Sequence, residues 1–214
     1  MRREPIVLFD NGEHQCMMFD DLVSGEGVQS NQFLITDNEQ YLLLDPGGDL
    51  TYTPLSMELS KHIPVQDLTY IFASHQDPDI IASLDKWLLH TRAQVICSKL
   101  WARFLPHLTA NYLALSRGIN TFDRIIALPD RGQSFALGKC KLKAVLGFHR
   151  RYMAGNKVCR LWAAMVREMD VAMIVPQHGR PFIGAEMINA FLYWIENLEC
   201  GMDLMGPEDY RLPK

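Results

Sequence analysis

Residues 32–49, QFLITDNEQYLLLDPGGD, constrain the fold more than any other stretch. QFLITD and QYLLLD are two β-rich runs flanking Asp37-Asn38-Glu39, so they predict a hairpin. The second run ends in Asp-Pro-Gly-Gly-Asp, whose glycines permit a sharp exit from a sheet. An earlier pair, PIVLFD and HQCMMF, flanks the turn dipeptide Asn11-Gly12 and predicts a second hairpin. The chain therefore begins as antiparallel β-structure.

After the glycines the elements alternate. Residues 53–61 suit a short helix with Pro54 in its first turn. LTYIFAS reads as a buried strand, and Ile80, Leu84, Trp87 and Leu88 then recur at helical spacing. AQVICS is the next strand, and RIIALPDRGQSFALGKCKLKAVL divides into three short ones. RRYMAGNKVCRLWAAMVREM predicts a long amphipathic helix, VAMIVP a short buried strand, QHGRPF a loop and AEMINAFLYWIENL a final helix. Early hairpins with helices interleaved later predict a layered α/β sandwich, taken as one domain over residues 1–214.

Composition excludes several classes. With 48% hydrophobic and 21% charged residues the chain is an ordinary globular one, and a net charge of −4 gives no reason to expect nucleic acid. Arg150, Arg151, Lys157 and Arg160 suit a solvated helix face. No apolar stretch is long enough for a bilayer, and the N-terminal apolar run is too short for a signal peptide. Cys16, Cys97, Cys140, Cys159 and Cys200 lack paired spacing, which points to free thiols in a reducing cytoplasm. His14, His62, His90 and His107 read as surface or capping residues, and the four tryptophans as packing. ECGMDLMG suits either a homodimer surface or a covered core edge. There is no GxGxxG, P-loop or GxSxG to support nucleotide binding or serine hydrolysis.

One cluster carries chemistry. His75, Asp77 and Asp79 stand at alternate positions where a buried strand gives way to a helix, a spacing that projects side chains to one side of an extended backbone. One imidazole and two carboxylates suit iron, manganese or zinc. Helix capping explains the aspartates equally well: Asp77 as N-cap, Pro78 as first helical residue, Asp79 near the positive end of the dipole. The two roles are compatible. His178, before Gly179 and after MIVP, supplies a second imidazole at another strand end.

NQFLITDNEQYLLLDPGG, SHQDPD and PQHG, in this order, resemble the metallo-β-lactamase fold, with Asp45 in the place of its structural Asp. The carboxylate at Asp77 is similar to the flavodiiron proteins. GFHRRYM, CRLWA and MIVPQHG resemble the oxygen-binding di-iron protein (ODP) group, which has this fold without a flavodoxin domain. The resemblance implies an αββα sandwich with one or two irons: His75 and Asp77 on the first, Asp79 and His178 on the second. Ile80 stands where many relatives have a further His, which leaves an open position. A third His and a bridging acid are expected between strand KLKAV and segment GFHRRYM, yet here Val145 and Leu146 run almost directly into Gly147. One strand pair is therefore expected to be missing, with His149 as a substitute ligand to be tested. The resemblance further implies dioxygen as ligand, an external electron donor and a signalling partner, as in chemotaxis. A zinc or manganese hydrolase, and a degenerate relative kept for interaction, are the alternatives.

Overall fold

A computed structural model describes residues 4–100, 102–108, 121–129, 133–144 and 155–207. They fall into two compact units: residues 1–147 with Gln177–Gly179, and residues 148–176 with 180–214.

The first unit is built on a seven-stranded sheet in sequence order: β1 (Ile6–Asp10), β2 (His14–Phe19), β3 (Gln32–Asp37), β4 (Gln40–Leu44), β5 (Tyr70–Ala73), β6 (Gln94–Ser98) and β7 (Ile125–Leu128). β1 to β4 pair antiparallel through the two expected hairpins. From β4 onward the pairing is parallel, with Leu43 beside Ile71, and Ile71 beside Val95. That switch requires crossovers, which are supplied by α1 (Asp49–Leu59) and by the pair α2 (Pro78–Ile81) and α3 (Leu84–His90). The short α4 (Leu105–Leu108) follows β6.

Side-chain alternation along the strands divides the core in two. Leu34, Leu43, Ile71 and Val95 face Leu55, Leu59, Ile81, Leu84 and Trp87 of the helices. On the opposite face Tyr70, Phe72 and Ile96 meet Phe135, which stacks on Phe72 at 6.1 Å. Phe135 belongs to a separate hairpin of β8 (Gln133–Leu137) and β9 (Cys140–Ala144). The class is thus mixed α/β with a central sheet. The junction at 145–147, where a strand pair was expected to be missing, lies outside the described residues.

Two local expectations change in this unit. α1 starts at Asp49 instead of residue 53, so Pro54 lies inside the helix, where it forgoes one backbone bond. The single helical pattern after Asp79 is two helices. Between them the Ser83 hydroxyl lies 2.7 Å from the Gly47 carbonyl and 3.0 Å from that of Pro46, drawing the backbone toward the Asp-Pro-Gly-Gly loop. Trp87 Nε1–H reaches the same Pro46 carbonyl at 3.0 Å.

In the second unit α5 (Asn156–Arg167) and α6 (Gly184–Glu196) pack through Ala163, Val166, Ile188 and Leu192, and Arg167 grips Glu196 at 2.9 and 3.0 Å. The strand expected from VAMIVP shrinks to a half-buried pair, β10 (Met173–Ile174), against β11 (Phe182–Ile183). Trp194, expected in packing, is 55% exposed, because it sits two residues past Leu192 and so turns away from that core stripe. Lys157 and Arg160 are exposed, as a solvated face requires. Among the described residues no helix is long and apolar enough to cross a membrane.

Trp87 links the core to the loop that carries Asp45. Trp87→Phe keeps most of the apolar volume but leaves the Pro46 carbonyl with one fewer buried donor. The expected loss is about 1–3 kcal/mol in denaturant unfolding; an unchanged midpoint would show that this link carries no stability.

Candidate metal centre

Two parallel strands, β4 and β5, end at the same edge of the sheet, and the segments leaving them carry the chemistry. The residue that follows β4 is Asp45, buried and with φ +60°. Its carboxylate accepts the Ser74 backbone N–H at 2.8 Å, the Ser74 hydroxyl at 2.9 Å and the Gln177 side-chain amide at 2.5 Å. One side chain thus binds the residue before His75 and the residue before His178. Burial pushes the Asp45 carboxyl up to about 7; the Ser74 bonds oppose this and the negative charge of Asp79 adds to it.

Asp77 occupies the N-cap position of α2 with extended backbone, and Pro78 is the first helical residue, as the capping reading expects. Its side chain makes no capping hydrogen bond; Asp77 Oδ2 instead lies 3.4 Å from His75 Nε2. Asp79 points to His178, with Oδ2 3.6 Å from Nε2. Sequence reading identified all four residues, and the fold brings them together as two imidazole–carboxylate pairs. His75 feels the charges of Asp77, Asp79 and His178, so the pairs share one electrostatic neighbourhood.

Hydrogen bonds orient both imidazoles. His178 Nδ1 lies 2.6 Å from the Gln29 carbonyl, an acceptor only, so Nδ1 carries a proton and Nε2 is the nitrogen turned toward Asp79. His75 Nδ1 lies 2.9 Å from the Ser74 hydroxyl. That hydroxyl spends its single hydrogen on Asp45, so the His75 Nδ1–H donates to it and Nε2 again faces a carboxylate. Burial holds His75 below the usual imidazole range, only partly offset by Asp77 and Asp79, and so favours the neutral ring.

The result is two imidazole–carboxylate pairs, His75 with Asp77 at 3.4 Å and His178 with Asp79 at 3.6 Å. Asp79 Oδ2 is buried and accepts no hydrogen bond. Two imidazole nitrogens beside two carboxylates, with the second ring nitrogens tied to neighbours, form a donor set that fits divalent cations. Ile80, fully buried, offers no ligand atom. His149 lies outside the described residues.

The supporting residues were not legible in advance. Ser30 Oγ donates to the Asp79 carbonyl at 3.2 Å. Asn31 binds both sides of His178, its N–H to the Gln177 carbonyl at 2.6 Å and its amide to that of Gly179 at 2.9 Å. A Cβ on Gly48 would stand 3.0 Å from the Asp79 Cα, so the glycine lets the loop lie against α2. Only the Ser-His and Gln-His adjacencies hinted at these roles.

The family model for the ODP family beta-lactamase matches residues 28–147 and 139–179. A chemotaxis sensor ODP solved as a peroxy di-iron species is 28% identical with a TM-score of 0.77, covering 94% of this chain and 98% of that one. The apo form of the sensor from T. denticola aligns with 28% identity and a TM-score of 0.76, covering 94% and 96%. A flavo di-iron protein variant from Thermotoga maritima, at 17% identity and a TM-score of 0.65, shares the fold over 91% of this chain and 63% of its own. A diflavin flavoprotein of a Synechocystis species is 35% identical over 86 residues, 38% of this chain but only 14% of that protein's length. The fold is that of the metallo-β-lactamase-like domains of flavodiiron and ODP proteins. Within that class, this chain belongs to the ODP family.

Asp45 gives the apo protein a characteristic pH response. Its carboxyl binds a proton more readily folded than unfolded. Its contribution to stability is therefore complete below about pH 4 and is lost as pH rises through about 7. In chelator-treated protein, Asp45→Asn is expected to flatten the fall in denaturant midpoint over that interval; an identical slope in both proteins would contradict the assignment.

Proposed function

We propose that this chain is a non-haem di-iron protein that binds dioxygen, working as one domain. The observation that carries the reading is the convergence of two imidazole–carboxylate pairs, His75–Asp77 and Asp79–His178, in each of which Nε2 stands beside a carboxylate oxygen. Each pair would hold one iron, which when bound supplies redox-active coordination positions for exchangeable ligands. Ser74 and Gln29 engage Nδ1 of the two rings, which leaves Nε2 of each as the nitrogen that would bind metal. Asp77 and Asp79 supply the negative charge that a divalent pair requires. The buried Ile80 adds no donor beside Asp79, which leaves the second site open to an incoming ligand.

The similarity to a chemotaxis sensor ODP supports a finer reading, in which oxygen binding is reported to a signalling protein and electrons come from an external donor. Asp77, where a zinc hydrolase would carry nitrogen, supports iron ahead of zinc, with manganese as the alternative that the same oxygen donor would suit.

Metal analysis of protein purified without air is the test. About two irons per chain are expected, with an absorbance change on admitting air that disappears in His75→Ala and in Asp79→Ala. Iron at background level would sink the proposal.

A further inference from the structure

A second donor cluster lies in the first unit, at the opposite end of β4 from Asp45. His14 and Asp37 are cross-strand partners at the ends of β2 and β3, and Cys140 opens β9. The β8–β9 turn brings Cys140 there. Gly138 takes φ +56° and donates its N–H to Gln40 Oε1 at 2.7 Å, and a Cβ at this position would collide with the Asp37 carbonyl. Lys139 pairs with Glu13 at 3.8 Å on the rim. The β8–β9 hairpin is thereby seated against the β3–β4 turn, with its cysteine aimed at the imidazole.

The three side chains offer a thiol, an imidazole and a carboxylate whose ligand atoms all lie within 4.8 Å of one another. His14 Nε2 is 3.9 Å from Cys140 Sγ, and His14 Nδ1 is 4.0 Å from Asp37 Oδ2. Asp37 is only 3% exposed. Its Oδ1 accepts the Asn38 amide, which leaves Oδ2 toward the cluster. His14 Nδ1 is buried with no hydrogen-bond partner. His14 itself, expected on the surface, is half-buried under the Phe9 ring at 5.6 Å.

We propose that His14, Asp37 and Cys140 form a zinc site distinct from the His75–His178 centre. A single imidazole nitrogen would bind the ion, and tetrahedral Zn²⁺ places its sulfur, nitrogen and oxygen ligands about 3.4–3.6 Å apart, so closing separations of up to 4.8 Å needs a contraction of up to about 1.3 Å. Thiolate and carboxylate together balance the dication, and the mixed S, N, O set suits Zn²⁺ better than the harder cations. A water would complete the coordination. Binding would clip the β8–β9 hairpin to the edge formed by β2 and β3.

Co²⁺ serves as the probe, because a thiolate–cobalt charge-transfer band cannot arise from the His75 centre, which contains no sulfur. Titrating metal-free protein should produce this band, with a final intensity that corresponds to one thiolate-bound Co²⁺ per chain. It should be lost in Cys140→Ser, shifted to at least about tenfold weaker binding in His14→Ala, and retained in Asp79→Ala. In the unmodified chain Zn²⁺ should slow alkylation of Cys140 at least about tenfold while leaving Cys16 unaffected, a readout independent of any variant's folding. Absence of the band, its persistence in Cys140→Ser, or equal alkylation rates with and without Zn²⁺ would overturn the site.

Discussion

The buried carboxylate of Asp45 is the tie on which the rest of the centre depends. It accepts hydrogen bonds from Ser74 and from Gln177, residues 103 positions apart that immediately precede His75 and His178. A carboxylate accepts several donors at once, and a left-handed backbone aims it back across the sheet edge; Asn or Asp adopts that conformation more readily than other residues. The arrangement works against its own solvation. Burial favours the protonated form and the charge of Asp79 favours it further. Positive charge held beside Asp79 would act in the opposite direction, so the tie and the candidate ligands are electrostatically linked.

From that tie follows the orientation of the donors. Ser74 stands between Asp45 and His75, and its one hydroxyl hydrogen decides which imidazole nitrogen is protonated. The Gln29 carbonyl decides the same question for His178. The parallel pairing of β4 with β5 is what makes this geometry available, since both strands then deliver their following loops to the same edge. An antiparallel partner would have sent one of the two loops to the far end.

Much of this was legible in the sequence, for reasons that differ by residue. The hairpins and the central strands were readable because apolar alternation and turn dipeptides are local signals. The four donor residues were readable because three of them share alternate positions at a strand end. Asp77 shows the limit of such reading: capping and ligation call for the same residue in the same place, and the sequence does not reveal that the side chain makes no capping bond. The start of α1 was misplaced because Pro54 is more familiar in a first turn than in mid-helix. The role of Trp194 was misread because an aromatic within an apolar segment says nothing about which side of the helix it takes. Ser74, Gln29 and Asn31 act through contacts set by the tertiary fold, and no local pattern announces those.

The cluster at the far edge makes the same point about distance in sequence. Cys140 and His14 are 126 positions apart, and a lone cysteine in a two-residue hairpin carries no spacing motif. Their approach depends on Gly138, because any side chain there would strike the Asp37 backbone and lift the hairpin away. The two donor sets also differ in chemistry. His75, Asp77, Asp79 and His178 offer nitrogen and oxygen alone, whereas the other set includes sulfur. Ligand softness discriminates between metals where raw affinity does not, so a sulfur-free centre and a thiolate-containing one in the same chain need not compete for the same ion. Cys140 stands at the opposite end of β4 from the His75 edge, so the two donor sets share no residue and no loop.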